Sequence, residues 1–233
     1  MRKITFLLLL FFLSCSAFAD TVSDREKDAL VKIYHATNGA EWKVKWDLSL
    51  PVSTWFGVET NNEKVVGLNL SDNNLKGELP DEFSNLVNLK VIDFSNNKIS
   101  GKLPYSIGNL KQLEVFSLFS NQIEGSLPGS LYEISTLKIL LLNNNKLSGS
   151  LSNKIRNLSS LENLGLFDNS FIGEIPKDLE NLQHLKEMNL SYNQFQGTVS
   201  KKIALLDSLN MTMFDKNGNP FLLEINAEKD IIQ

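Results

Sequence analysis

The chain has 233 residues, with 23 lysines and arginines against 27 acidic residues, two histidines and a single cysteine. A mildly acidic balance, with no basic stripe and no low-complexity run, excludes nucleic acid and anionic membrane as electrostatic partners. One cysteine cannot close an internal disulfide.

Met1 to Ala19 reads as an export signal. Arg2 and Lys3 precede an apolar run from Ile4 to Leu13, and Ala17-Phe18-Ala19 supplies small residues at the two positions a signal peptidase reads. The run is shorter than the ~20 residues a bilayer-spanning helix needs, so cleavage after Ala19 and a secreted or extracellular location are expected. The alternative is a bacterial cell-envelope lipoprotein. Phe12-Leu13-Ser14-Cys15 loosely resembles a lipobox, in which Cys15 becomes the lipidated first residue and gives the only route to a membrane. Cleavage after Ala19 removes Arg2, Lys3 and Cys15, leaving 21 basic residues against 27 acidic ones and no cysteine.

Residues 20–64 read as an N-terminal cap. Ser23 and Glu26 form a capping box. Ala29, Leu30, Ile33 and Tyr34 then fall on one helical face, and Asn38-Gly39 stops the helix at about Thr37. Trp42, Trp46, Trp55 and Phe56 are expected to cover the open end of the next structural unit, with a carbohydrate-binding aromatic cluster as the functional alternative.

From Val65 onward one pattern returns every 24 residues. Six copies, spanning 65–208, align without a gap, with asparagine at Asn73, Asn97, Asn121, Asn145, Asn169 and Asn193 and glycine four residues later. A period of this length indicates a solenoid. Leu68 and Leu70 alternate with a polar residue, the period of a short strand with one face buried, and Ile92/Phe94, Phe116/Leu118, Leu140/Leu142, Leu164/Leu166 and Met188/Leu190 take the same two inward positions. Twenty-four residues cannot enclose a core, so the strands stack in parallel at roughly 4.8 Å per copy. Each asparagine sits where the chain leaves the strand, where its amide both donates to and accepts from backbone groups; six in register imply a buried ladder. Pro80, Pro104, Pro128 and Pro176 end the segment after the glycine, and Ser152 and Ser200 take that place in two copies.

The pattern LxLxxNxLxGxLP resembles the plant-type leucine-rich repeats of receptor ectodomains, polygalacturonase inhibitors and related secreted bacterial proteins, over about Val65 to Ser200. The resemblance implies an α/β solenoid: a right-handed coil with a parallel β-sheet on its concave face, short helical or 3-10 turns on the other side, and a helical N-terminal cap. Trp55-Phe56-Gly57-Val58 resembles the W-x-G-V of plant N-caps, and Ala36-Thr37-Asn38-Gly39 with Trp42 resembles the entry of secreted bacterial members. Absence of cap cysteines departs from the plant members and favours a microbial secreted protein.

Residues 209–233 continue the period weakly. Leu209, Phe214 and Asn217 lie 24 residues after Leu185, Leu190 and Asn193, while Thr212 replaces a core leucine and Asn219-Pro220 interrupts the pattern, so a degenerate seventh turn and C-terminal cap are expected. Catalysis is not expected. His35 on the cap helix and His184 in the fifth copy stand apart, and no metal-ligand spacing, nucleophile constellation or phosphate loop occurs, so neither metal nor cofactor is predicted. Lys90, Glu114, Lys138, Glu162 and Lys186 alternate in sign from copy to copy and predict an ion ladder. Of the sequons at Asn69, Asn157, Asn189 and Asn210, three arise from the repeat's own Asn-Leu-Ser habit, and the set is read as a by-product.

The outward positions beside the core leucines form columns with polar ends and an apolar middle. Val115, Phe119, Ile139, Leu141 and Phe167 gather there. They predict a partner site for a protein, peptide or glycan on the concave sheet of a monomeric, non-catalytic recognition module. The rival reading is a structural or adhesin-like envelope protein whose sheet has no dedicated ligand.

Overall fold

The computed structural model describes residues 22–200, with short strands at 213–214, 220–221 and 224–226 beyond them. The export segment, Cys15 and the seventh-turn positions Leu209, Thr212 and Asn217 lie outside the described residues.

The chain enters through a helix, Asp24–Ala36, whose N-cap Ser23 accepts a hydrogen bond from the Glu26 backbone N–H. Ser23 Oγ donates to Glu26 Oε2 at 2.7 Å, and Glu26 Oε1 accepts the backbone N–H of Val65 at 3.2 Å. One buried carboxylate therefore caps the helix and ties it to the first strand. Ala29, Leu30 and Ile33 are fully buried on the end of the stack. Behind them the rings form a chain of contacts: Tyr34 on Trp42 at 5.0 Å, Trp42 edge-on to Trp46 at 4.9 Å, and Trp46 stacked on Trp55 at 4.8 Å. Each indole N–H donates to a backbone carbonyl, of Thr37, Phe56 and Leu50 respectively, so the three tryptophans are core and not a sugar platform. Phe56 is the exception to the expected cover. Its carbonyl is used by Trp46 while its ring is 46% exposed.

Two parallel sheets line the coil. The first contains Lys64–Asn69, Val91–Asp93, Val115–Ser117, Ile139–Leu141, Asn163–Gly165 and Glu187–Asn189, in chain order. Its register joins Gly67, Val91, Val115, Ile139, Asn163 and Glu187, and likewise Leu68, Ile92, Phe116, Leu140, Leu164 and Met188, as expected for a strict 24-residue period. Its leading edge is covered by an antiparallel strand, Val58–Asn61, folded back through a tight turn at Asn62 and Glu63, both at positive φ. Gly57 makes that return feasible, because a side chain there would run into the Asn69 carbonyl.

The second sheet is the feature the periodicity did not foretell. Lys76–Glu78, Lys98–Lys102, Gln122–Gly125, Lys146–Gly149, Ser170–Glu174 and Gln194–Gln196 also pair in parallel, on the side expected to hold turns alone. The 3-10 turns are present on a third side, at Asp81–Asn85, Tyr105–Asn109, Gly129–Glu133, Asn153–Asn157 and Lys177–Asn181. Four of the five begin after a proline, which cannot extend the strand ladder. In the fifth, Ser152 replaces proline and brings back an N–H. The hydroxyl of Tyr132, from the preceding turn, accepts it at 3.4 Å, and burial pushes that phenol's pKa up.

Between the sheets and the 3-10 turns lies one continuous core. Leu137, Leu140, Leu142, Leu147, Ile155 and Leu158 from a single turn are all fully buried. Each contributes roughly 1.5–3 kcal/mol relative to an exposed side chain.

Candidate functional site

The asparagines stand at the corner between the two sheets. Asn145 donates through Nδ2 to the carbonyls of Leu118, Leu142 and Asn143, and its Oδ1 accepts the Ile123 N–H at 2.9 Å. Asn97, Asn121, Asn169 and Asn193 repeat this geometry, accepting from Leu75, Ile99, Leu147 and Phe171 of the preceding turn. Asn73 has no repeat before it and turns instead to the cap, exchanging bonds with the N–H and carbonyl of Val44. All six amides are therefore structural and unavailable to a ligand.

The residue before each asparagine takes the left-handed conformation. Asp72, Asn96, Ser120, Asn144, Asp168 and Tyr192 have φ between 52° and 55°. These corners, with the three outward columns of the first sheet, form one continuous surface. Val115 lies beside Ile139, and Ser117 beside Leu141, in the strand register. The ladder continues past the strands, since the Ser120 N–H donates to Asn143 O and the Asn144 N–H to Phe167 O. Phe119, Asn143 and Phe167 are thus consecutive rungs.

Val115, Phe119, Ile139, Leu141 and Phe167 are all half-buried, shielding one another while staying outside the core. Phe167 meets the ring of Tyr192 edge-on at 4.9 Å. Gly165 leaves a gap into which its neighbours lean; an added Cβ would lie 2.7 Å from Asn143 Nδ2 and 2.9 Å from Leu141 Cδ2. Asn143 is held there because its Oδ1 accepts the Phe167 N–H at 2.9 Å. Ser117, in the floor of the surface, is 4% exposed and its hydroxyl has no hydrogen-bond partner.

The ion ladder closes as two couples, Lys138 with Glu114 and Lys186 with Glu162, each at 2.6 Å along one margin of the surface. His35 and His184 are solvent-exposed, and among the described residues no cluster of histidine, cysteine and carboxylate side chains suits a metal ion. Among those residues no helix is long and apolar enough to cross a membrane.

Tyr192, Gly165 and Ser117 are site features that periodicity reasoning missed. Tyr192 carried a legible signal: it breaks a column otherwise made of aspartate, asparagine and serine.

A family model described as a leucine-rich repeat region matches residues 64–214. The chain belongs to the leucine-rich repeat family. Among its relatives is a probable leucine-rich repeat receptor-like protein kinase of Arabidopsis thaliana, 37% identical over 92 residues; these cover 37% of this chain and 9% of the kinase. Solved leucine-rich repeat structures resemble it over greater lengths. The ectodomain of the Arabidopsis receptor kinase HAESA, in complex with an IDA peptide hormone ligand, is 34% identical, with a TM-score of 0.59 over 60% of this chain and 24% of that one. A plant ice-binding protein is 28% identical, with a TM-score of 0.72 over 79% of this chain and 61% of that chain. The chain thus spans only a small part of the kinase and of the receptor ectodomain.

Proposed function

We propose that this leucine-rich repeat chain is an exported, non-catalytic recognition module that binds an extended peptide or protein segment along its first sheet. The observation that carries the reading is the apolar centre of the outward columns. Val115, Phe119, Ile139, Leu141 and Phe167 occur in three consecutive turns at positions that folding leaves free, while the flanking turns carry Gly67, Asn69, Ser71, Asp93, Glu187 and Asn189, with Val91 as their one large apolar outward residue. Phe119 and Phe167 are two rungs apart, about 10 Å at the strand spacing, which suits an extended chain better than a deep pocket. Burial of such side chains against a partner contributes roughly 1.5–3 kcal/mol each, and a few anchors of this kind dominate an interface. Receptor ectodomains solved with peptide hormones are among the structures of like fold, which supports the reading.

A surface complementary to ice has to repeat as the ice lattice repeats. Neither set of outward columns does: the second sheet sets Glu78 beside Ser100, Lys102 beside Glu124, Glu124 beside Lys146 and Ile172 beside Gln194.

The test is selection of displayed 12-residue peptides on the immobilised chain. Peptides are expected to be retained by the native chain and lost by the double variant F119S/F167S. Retention by both, or by neither, contradicts the proposal.

A further inference from the structure

The surface just described is uneven in charge. Its three outward columns and the corner column hold Asp72, Asp93, Asp168 and Glu187, and no lysine or arginine at any of their positions. Asp72 is neutralised by Lys43 at 2.6 Å. The other three carboxylates meet only neutral groups among the described residues. Asp93 accepts the Ser95 N–H at 3.0 Å, Asp168 accepts from Asn144 Nδ2 at 3.0 Å, and Glu187 accepts from Asn163 Nδ2 at 2.5 Å. Lysines stand only at the margins: Lys138 and Lys186 are committed to Glu114 and Glu162, while Lys90 precedes the first column and Lys98 and Lys146 follow the asparagine ladder. Within the columns themselves the only charges are therefore negative.

Two further observations point to a ligand at the same place. Ser117, beside Asp93 in the register, buries a hydroxyl with no partner in the floor of the surface. A buried polar group in that state is destabilising until something bonds to it. Tyr192 holds φ 55° at a corner where the other five turns use the short polar residues that tolerate this conformation. Left-handed geometry is disfavoured for a bulky side chain, and such strain persists where surroundings or function require it. What the strain achieves is the placement of a second ring against Phe167. Aromatic faces attract cations as well as apolar groups.

We infer that the occupant is a cationic extended peptide, with an apolar side chain seated among Phe119, Leu141 and the Phe167–Tyr192 pair and its positive charges directed to Asp93, Asp168 and Glu187. This deepens the peptide-binding reading and rests on it. Carboxylates with no cationic partner, aromatic faces and the absence of lysine and arginine from the columns select a positively charged chain over a neutral glycan or an acidic segment.

The experiment uses two soluble libraries of 12-residue peptides with equal apolar content, one enriched in lysine and arginine and the other in aspartate and glutamate, passed over the full chain. Retention of the basic library alone is expected. The triple variant D93N/D168N/E187Q should weaken retained basic peptides about five- to tenfold, and added salt should do the same to the native chain. Tyr192→Asn should raise the thermal midpoint by relieving the corner while weakening the same peptides, a combination that a purely structural tyrosine does not give. Retention of neither library removes the peptide reading itself. Equal retention of both, indifference of the basic peptides to the triple variant, or preferential capture of neutral oligosaccharides overturns the cationic inference and leaves the surface assignment standing.

Discussion

The two sheets come from the same 24-residue stretch of chain, yet their outward positions are filled in different ways. On the second sheet they are polar and mixed in sign, with Ile172 as the one large apolar side chain exposed there, at 48%. On the first sheet they pass from polar to apolar in the middle turns and collect two phenylalanines, a leucine, an isoleucine and a valine without drawing any of them into the core. The inward leucines and the backbone ladder satisfy folding on both sides. An outward column is free of that requirement, so a departure from polarity within it is evidence of recognition.

The sharpest way to break the comparison is at the corner that both sheets share. Asn145→Ala orphans the Ile123 N–H and strips the carbonyls of Leu118, Leu142 and Asn143 of a donor. At about 1–3 kcal/mol for each group left unsatisfied, a loss of about 3 kcal/mol or more is expected in denaturant unfolding. Asn73→Ala, which frees only the groups of Val44, should cost about 1–2 kcal/mol. Equal losses mean that the cap is as dependent on the ladder as the interior.

A smaller effect belongs to the second sheet alone. Gly149 has φ +80°, and a Cβ there would lie 3.1 Å from Ser126 Cβ. Gly149→Val is expected to lower stability by about 1–3 kcal/mol through backbone strain, with no change in peptide binding. A binding defect at unchanged stability places recognition on the wrong face.

The smallest effect concerns the charged margin. Hydrogen bonds from Lys138 and Lys186 hold the carboxyls of Glu114 and Glu162 below their ordinary pKa, and Glu114 raises that of Lys138. With lowered folded-state values, the carboxylates' contribution is present above the ordinary carboxylate range and is lost as pH falls through the folded values. With a raised value, the Lys138 contribution is present below its ordinary pKa and fades as pH climbs through the folded one. In E114Q/E162Q the acid limb of the stability profile should flatten, and by less in high salt. An unchanged acid limb means that these exposed pairs contribute nothing.

Much of this was legible in the residues. The alternation of Leu140 and Leu142 around Leu141, repeated at a fixed period, set the register of the first sheet and the side on which Phe119 and Phe167 stand. The second sheet was not legible, because Leu147-Ser148-Gly149 followed by Leu151 has glycine and a proline-type position as punctuation and reads as a turn. Its strands exist because the neighbouring turns supply partners, which no single copy displays. Phe56 misled for a similar reason: the cap uses its carbonyl, not its ring. At Tyr192 the departure from the column was visible, but its meaning required the left-handed corner and the contact with Phe167.

The most direct test of the division between the sheets is a matched pair of surface changes read by one titration. A peptide retained by the native chain is titrated into F119S/F167S and into I172S, with thermal unfolding of each variant alongside. If the first sheet alone recognises the peptide, F119S/F167S loses at least about tenfold in affinity and about 1–2 kcal/mol of stability, as befits half-buried rings, while I172S keeps native affinity. Native affinity in F119S/F167S together with weakened binding in I172S would contradict it.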